Sequence, residues 1–355
     1  MKLTLGESLA LLGVLVLLLV ALQGWWRMRR AAPRRPAVAD GPARGERVEP
    51  GLGGSDDERA DDEDLLGASG LGAAALRRSA RTDARIDALI DAIVPLTLEA
   101  PASGDFVLSH LPPSRRAGTK AMLVEGLDAE TAEWGPPQPG RRYGELQAAV
   151  QLASRSGALN EIEYSEFVQK VQAFADAVAA VPDFPDMLDV VARARELDNF
   201  AAPLDAQLAV TLRANEVAWS VGYVQQCAQR LGFVAGAMSG RLVLPAAEEG
   251  APPLLVLAFD PQAALADEPQ AAALRECTLG LDVPQSPESA EPFPAWHNAA
   301  RTLADDMGAT LVDDQGQPVT LHAFAAIGTE LQRIYRELES HDLAAGSPAA
   351  RRLFA

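Results

Sequence analysis

"FPAWHNAARTLADDMGATLVDDQGQPVTLHAFAAIGTELQRIYREL", residues 293–338, decides how the C-terminal half of this chain folds. Phe293, Trp296, Ala300, Leu303 and Met307 recur at helical spacing, and Gly308 supplies the left-handed residue on which helices commonly end. "ATLVD" is short, apolar and partly β-branched, so a strand follows. Asp313 and Asp314, then Gln315 and Gly316, read as a turn, because an aspartate accepts local backbone hydrogen bonds and glycine takes a positive φ. Thr320 is the expected N-cap of a long helix whose apolar stripe is Leu321, Phe324, Ile327, Leu331, Ile334 and Leu338.

The same stretch holds the aspartate pairs Asp305/Asp306 and Asp313/Asp314, the nearest thing in the sequence to a metal or acid–base cluster. The helix stop and the strand between them put roughly 15 Å between the pairs, so they read as a helix end and a turn. His110, His297, His322 and His341 fall on separate elements without a second ligand at helical spacing. No phosphate loop, dinucleotide fingerprint or nucleophile elbow occurs. The expectation is a protein that is not an enzyme, with no catalytic residue, no metal, no cofactor and no small-molecule substrate.

Upstream of residue 293, "AQLAVTLRA" alternates as a strand and Asn215 is the expected N-cap of a helix over 216–231, with Val217, Val221, Val224, Cys227, Ala228 and Leu231 as its stripe. "FVAGAMS", "RLVLP", "LLVLAFD" and "ECTLGLDVP" are strand candidates separated by Pro-, Gly- and acid-rich loops. The fold class is therefore α+β: an antiparallel sheet with helices packed on one face, which leaves the other face bare. This module spans 205–342, with a flexible tail at 343–355. An α+β module over 84–204 precedes it. Its elements, "AIVPLTLEA", "GDFVLSHL", "KAMLVEG", "ELQAAVQLA" and two helices, come in the same order, so an internal duplication is one reading and an unrelated extension the other.

Residues 9–26 form a run without charge, ending in Trp25 and Trp26 and followed by Arg27, Arg29, Arg30, Arg34 and Arg35. The length is close to the ~17 residues that span a bilayer core, and the arginines mark the cytoplasmic side. Residues 1–30 are thus expected to be a single-pass anchor, N-terminus outside. Residues 31–83 are rich in Pro, Gly and acid and read as a disordered tether, about 40 Å in root-mean-square span. A net charge of -18 argues against a nucleic-acid partner. Cys227 and Cys277, without metal-ligand spacing, read as buried reduced thiols.

"CAQRLGFVAGAM", "ECTLGLDVP" and above all residues 293–338 resemble the C-terminal domain of the ZipA family, bacterial inner-membrane division proteins that bind FtsZ. The resemblance implies a split β-α-β fold whose bare sheet face takes the C-terminal peptide of FtsZ and so ties the Z ring to the inner membrane. Carried over by position, the peptide face would hold Met238, Val256, Ala258, Thr278 and Gly280, with Arg241 and Arg275 as an electrostatic rim. Gly280 stands where the family has a bulky apolar side chain, which implies a shallower floor. An adaptor of the same fold with a different protein partner is the alternative that the extra module leaves open.

Overall fold

Ala92, Val94 and Leu96 alternate with Ile93, Pro95 and Thr97 along the first long strand, and the first set is buried against helices. That period of two places one face of a sheet inward. In the computed structural model, which describes residues 85–265 and 272–355, this strand belongs to the first of two α+β modules. The expected anchor at 9–26 and tether at 31–83 lie outside the described residues. Among the described residues no helix is long and apolar enough to cross a membrane.

The first module runs β1 (Asp91–Leu98), β2 (Ala102–Ser103), α1 (Gly104–His110), β3 (Arg116–Ala117), β4 (Lys120–Asp128), β5 (Trp134–Gly135) and β6 (Arg142–Gln151). A hairpin of β7 (Ala153–Ser154) and β8 (Gly157–Ala158) follows, then α2 (Glu161–Val178), β9 (Ala180–Pro182) and α3 (Met187–Ala201). The sheet path is β3-β4-β6-β1-β9, antiparallel throughout. α2 lays Tyr164, Phe167, Val171, Phe174 and Val178 on one face of it. Its start is fixed by a capping box, in which Asn160 accepts from the Glu163 N–H and Glu163 accepts from the Asn160 N–H. Its end is the left-handed Ala179, at φ 54°.

The second module runs β10 (Gln207–Ala214), α4 (Val221–Gln229), β11 (Val234–Ala235), β12 (Arg241–Leu244), β13 (Leu255–Ala258), α5 (Pro261–Ala264) and β14 (Glu276–Asp282). It closes with α6 (Pro292–Met307), β15 (Ala309–Val312), α7 (Leu321–Ser340) and α8 (Pro348–Leu353). The sheet path is β11-β12-β13-β14-β10-β15, again antiparallel. α6 carries the stripe expected of it and ends on Gly308 at φ 62°. Asp313 makes the expected turn, its Oδ1 accepting from the N–H groups of Gln315 (3.0 Å) and Gln317 (2.7 Å).

The parallel between the modules extends from element order to strand path. Leaving aside the short additions β2, β5 and β11, strands numbered in chain order within each module read 2-3-4-1-5 across both sheets. Phe167, Val171, Phe174 and Val178 of α2 have the spacing of Trp296, Ala300, Leu303 and Met307 of α6, and both helices pass through a left-handed residue into the edge strand that pairs with the module's first strand.

Two expectations need correction. The helix expected over 216–231 begins only at Val221, capped by Ser220, whose side chain accepts from the Tyr223 N–H. Trp219 is held extended instead, bridged in both directions to Leu274, with its indole N–H on the carbonyl of Met307 (2.8 Å). Asn215 is not the cap; its side-chain oxygen accepts from the Thr310 hydroxyl (2.6 Å). The segment 343–355, expected as a flexible tail, carries α8, which with Phe354 just after it packs Ala349, Ala350 and Leu353 into the second module's core.

That core crosses between the modules, taking in Ile90, Ala153, Ala201 and Leu204 from the first. Two arginines cross as well. Arg352 of α8 forks onto Asp91 of β1 (2.6 and 2.8 Å), which is 1% exposed. Arg155, at the tip of the β7–β8 hairpin, reaches Asp205 and Asp282 of the second module.

Candidate functional site: an open sheet face

Alternation along the second sheet sends Val210, Leu212, Leu255, Leu257, Cys277, Leu279 and Leu281 toward the helices. Burial and the neighbouring Cys227 push the Cys277 thiol up to about 12, so this thiol stays protonated inside the core. The intervening residues face the opposite side, where no helix among the described residues lines the groove.

Cross-strand pairing arranges that side in rows. One row is Ala209, Gly280, Val256, Val243 and Val234, small apolar residues on five neighbouring strands. The next is Thr211, Thr278, Ala258 and Arg241, with the two threonine hydroxyls 3.3 Å apart. A third, at the edge, pairs Gln207 with Asp282. Ala209, Gly280 and Val256 of the first row, Thr278, Ala258 and Arg241 of the second and the Gln207–Asp282 pair, with the Pro252–Leu254 loop before β13, line a groove of about 460 Å³. An ideal Cβ at Gly280 would meet nothing closer than two backbone oxygens at 3.7 Å, so the floor has open space there.

Five of the seven residues named from sequence, Val256, Ala258, Thr278, Gly280 and Arg241, line this groove. Met238 and Arg275 do not. Met238 is 56% exposed at the tip of the β11–β12 turn, which closes through the Arg241 N–H on the Met238 carbonyl. Arg275 precedes β14, beyond the Thr211–Thr278 row, with its carbonyl accepting from the Ala214 N–H. Gln207, Leu208, Ala209 and the Pro252–Leu254 loop were missed. The alternation of "QLAVTLRA" already turned Ala209 and Thr211 outward; what the sequence withheld was that β10 pairs with β14 rather than with its chain neighbour.

The groove offers apolar area, the Thr278 hydroxyl, the Arg241 guanidinium and, at its end, the Gln207 amide and the Asp282 carboxylate, a set suited to binding a peptide. Among the described residues no group of three His, Cys, Asp or Glu side chains is placed to hold a metal. The aspartate pairs serve locally, Asp313 in its turn and Asp306 at 3.8 Å from Arg230.

The corresponding face of the first module is built from the same rows but is partly covered, with Ala149 and Glu125 buried and Pro95 exposed. Ile93, Ala149 and Leu123 take the places of Ala209, Gly280 and Val256; Pro95, Gln147 and Glu125 those of Thr211, Thr278 and Ala258. Glu125 is 3% exposed and accepts from the Ile86 N–H (2.9 Å) and the Gln147 amide (3.0 Å). The chain leading into β1 thus lies over this face.

No curated protein matches the chain. Residues 223–330 match the family model described as "ZipA, C-terminal FtsZ-binding domain". The match begins inside α4 and ends inside α7, so it covers the strands β11 to β15, and the structure adds β10 and the rest of α7 to the same sheet-and-helix unit. The resemblance carried by residues 293–338 is thereby shown: the second module is of the ZipA C-terminal type.

Proposed function

We propose that the open face of the second module takes the C-terminal peptide of FtsZ, and that the apolar segment 9–26 ties the complex to the bacterial inner membrane at the division site, with both modules in the cytoplasm. The observation that carries this reading is the row Ala209–Gly280–Val256–Val243, exposed at Ala209 and half-buried at the others, on a sheet whose other face packs against helices, inside a module of the ZipA type. Apolar side chains of the peptide lie along that row and exclude water. Arg241, at the edge of the groove, meets an acidic residue of the peptide. Ordering the peptide offsets much of the contact energy, so single contacts are modest. An FtsZ polymer presents many tails to many anchored copies, and the array holds by effective concentration.

Co-sedimentation of the full chain with FtsZ polymers tests the reading. Pelleting that depends on the FtsZ tail and is lost in Val256→Glu supports it; pelleting unchanged by either deletion or substitution refutes it. The second reading, an adaptor of the same fold for another protein, is favoured by the open space over Gly280, which would accept a bulkier anchor side chain than a filled floor allows.

A further inference from the structure

The role of the first module follows from where its β7–β8 hairpin ends. Arg155 lies between the ends of two groove strands: its Nε and Nη2 donate to Asp205, just before β10 (2.6 to 3.0 Å), and its Nη1 and Nη2 donate to Asp282, the last residue of β14 (both 2.8 Å). Gln207, which pairs with Asp282 across the strands, has its amide oxygen facing the same guanidinium once the amide is oriented to its neighbours. Gln207 and Asp282 are both groove-lining residues. Burial opposes the charge on Arg155, yet the two carboxylates hold its guanidinium above the ordinary arginine value.

The hairpin that presents Arg155 is itself fixed from inside. Lys120 of β4 is 1% exposed and donates through Nζ to the hydroxyls of Ser154 (3.1 Å) and Ser156 (3.0 Å) and to the Gly157 carbonyl (2.5 Å). A buried ammonium is costly unless it is hydrogen-bonded, and these three acceptors satisfy Lys120 while tying down the hairpin. The chain at Ile86 is tied to Glu125 over part of the first module's own sheet face.

We propose that the binding site is composite: Arg155 of the first module staples the β10 and β14 ends of the second module's groove and forms its end wall, setting where a bound peptide stops. The proposal rests on the peptide reading above. Arg155 is a positioning residue here, since its donors are already taken by Asp205 and Asp282.

The test uses the full chain in detergent and a labelled FtsZ C-terminal peptide, with binding measured for Arg155→Ala, Asp282→Ala and the double variant. Each single substitution removes the same staple, so each weakens binding about fivefold and the double weakens it no further. Peptides shortened residue by residue from each end add a readout that mere loss of stability would not give. In the wild type one end shows a sharp loss on truncation, and in Arg155→Ala that sharpness disappears. Unchanged affinity in either folded single variant, additive effects in the double, or an unaltered truncation profile overturns the proposal. If Arg155→Ala does not fold, Asp205→Ala, which removes the other anchor of Arg155 and does not line the groove, carries the same test. Failure of the wild type to bind the peptide at all would instead refute the function reading.

Discussion

The two modules share a strand path and a helix stripe, yet one leaves open the sheet face that the other partly covers. The difference is made by a few side chains at equivalent positions. Where the second module has Thr278 and Ala258, the first has Gln147 and Glu125, and Glu125 holds the chain at Ile86 over the sheet. A small apolar row leaves a groove; a carboxylate in the same row recruits backbone N–H and closes it. Topology therefore settles which face is available, and single residues settle whether it is used.

The comparison breaks most sharply on charge. Val256→Glu, in the open row, is expected to abolish FtsZ peptide binding, by about a hundredfold or more, because a carboxylate cannot be desolvated there without a partner. Leu123→Glu, at the equivalent position of the first module, leaves binding within about twofold of wild type. Titration of both variants with labelled peptide decides between the faces.

Next in size is the contact that joins the modules. Arg352→Ala strands the buried Asp91 and costs about 3 kcal/mol of stability, seen as a lower midpoint in thermal or denaturant unfolding. Lowered pH separates the helix starts. Burial resists the charge on Glu163, but hydrogen bonds from Thr119 and Asn160 hold its carboxyl below the ordinary glutamate range. A depressed carboxyl contributes stability that is present above about pH 4.3 and lost as pH falls through its folded-state value. α6 has no side-chain cap at its start. Acid should therefore loosen α2 first, and Glu163→Gln should flatten the acid limb of the stability curve. The smallest effect is Gly280→Ala, which fits the space at 3.7 Å and stiffens β14, raising stability by about 0.5 kcal/mol and changing peptide affinity by no more than about threefold.

Much of the fold was legible where one physical signal dominated. The helix stripe ending on Gly308 and the Asp313 turn came straight from spacing and turn chemistry. Outward residues of β13 and β14 were legible from alternation once the strands were placed. The helix start near residue 216 was misplaced because Trp219 is worth more in the core, bridged to Leu274, than in a further helical turn. α8 looked like a tail because six residues hold too little apolar periodicity to announce a helix, and its burial depends on a surface made by both modules. Met238 and Arg275 fall outside the groove lining because closeness in sequence to a groove strand does not say on which side of a turn or at which end of a strand a residue falls. The part played by Arg155 was not legible at all, since a salt bridge across modules leaves no local pattern.

Backbone amide shifts recorded while unlabelled FtsZ C-terminal peptide is added to the labelled chain test the central claim most directly. Perturbations gathered on Ala209, Val256, Thr278 and Gly280, and reaching Arg155 at the groove end, are the predicted result; perturbations on Ile93, Leu123 and Ala149, or none that saturate, would contradict it.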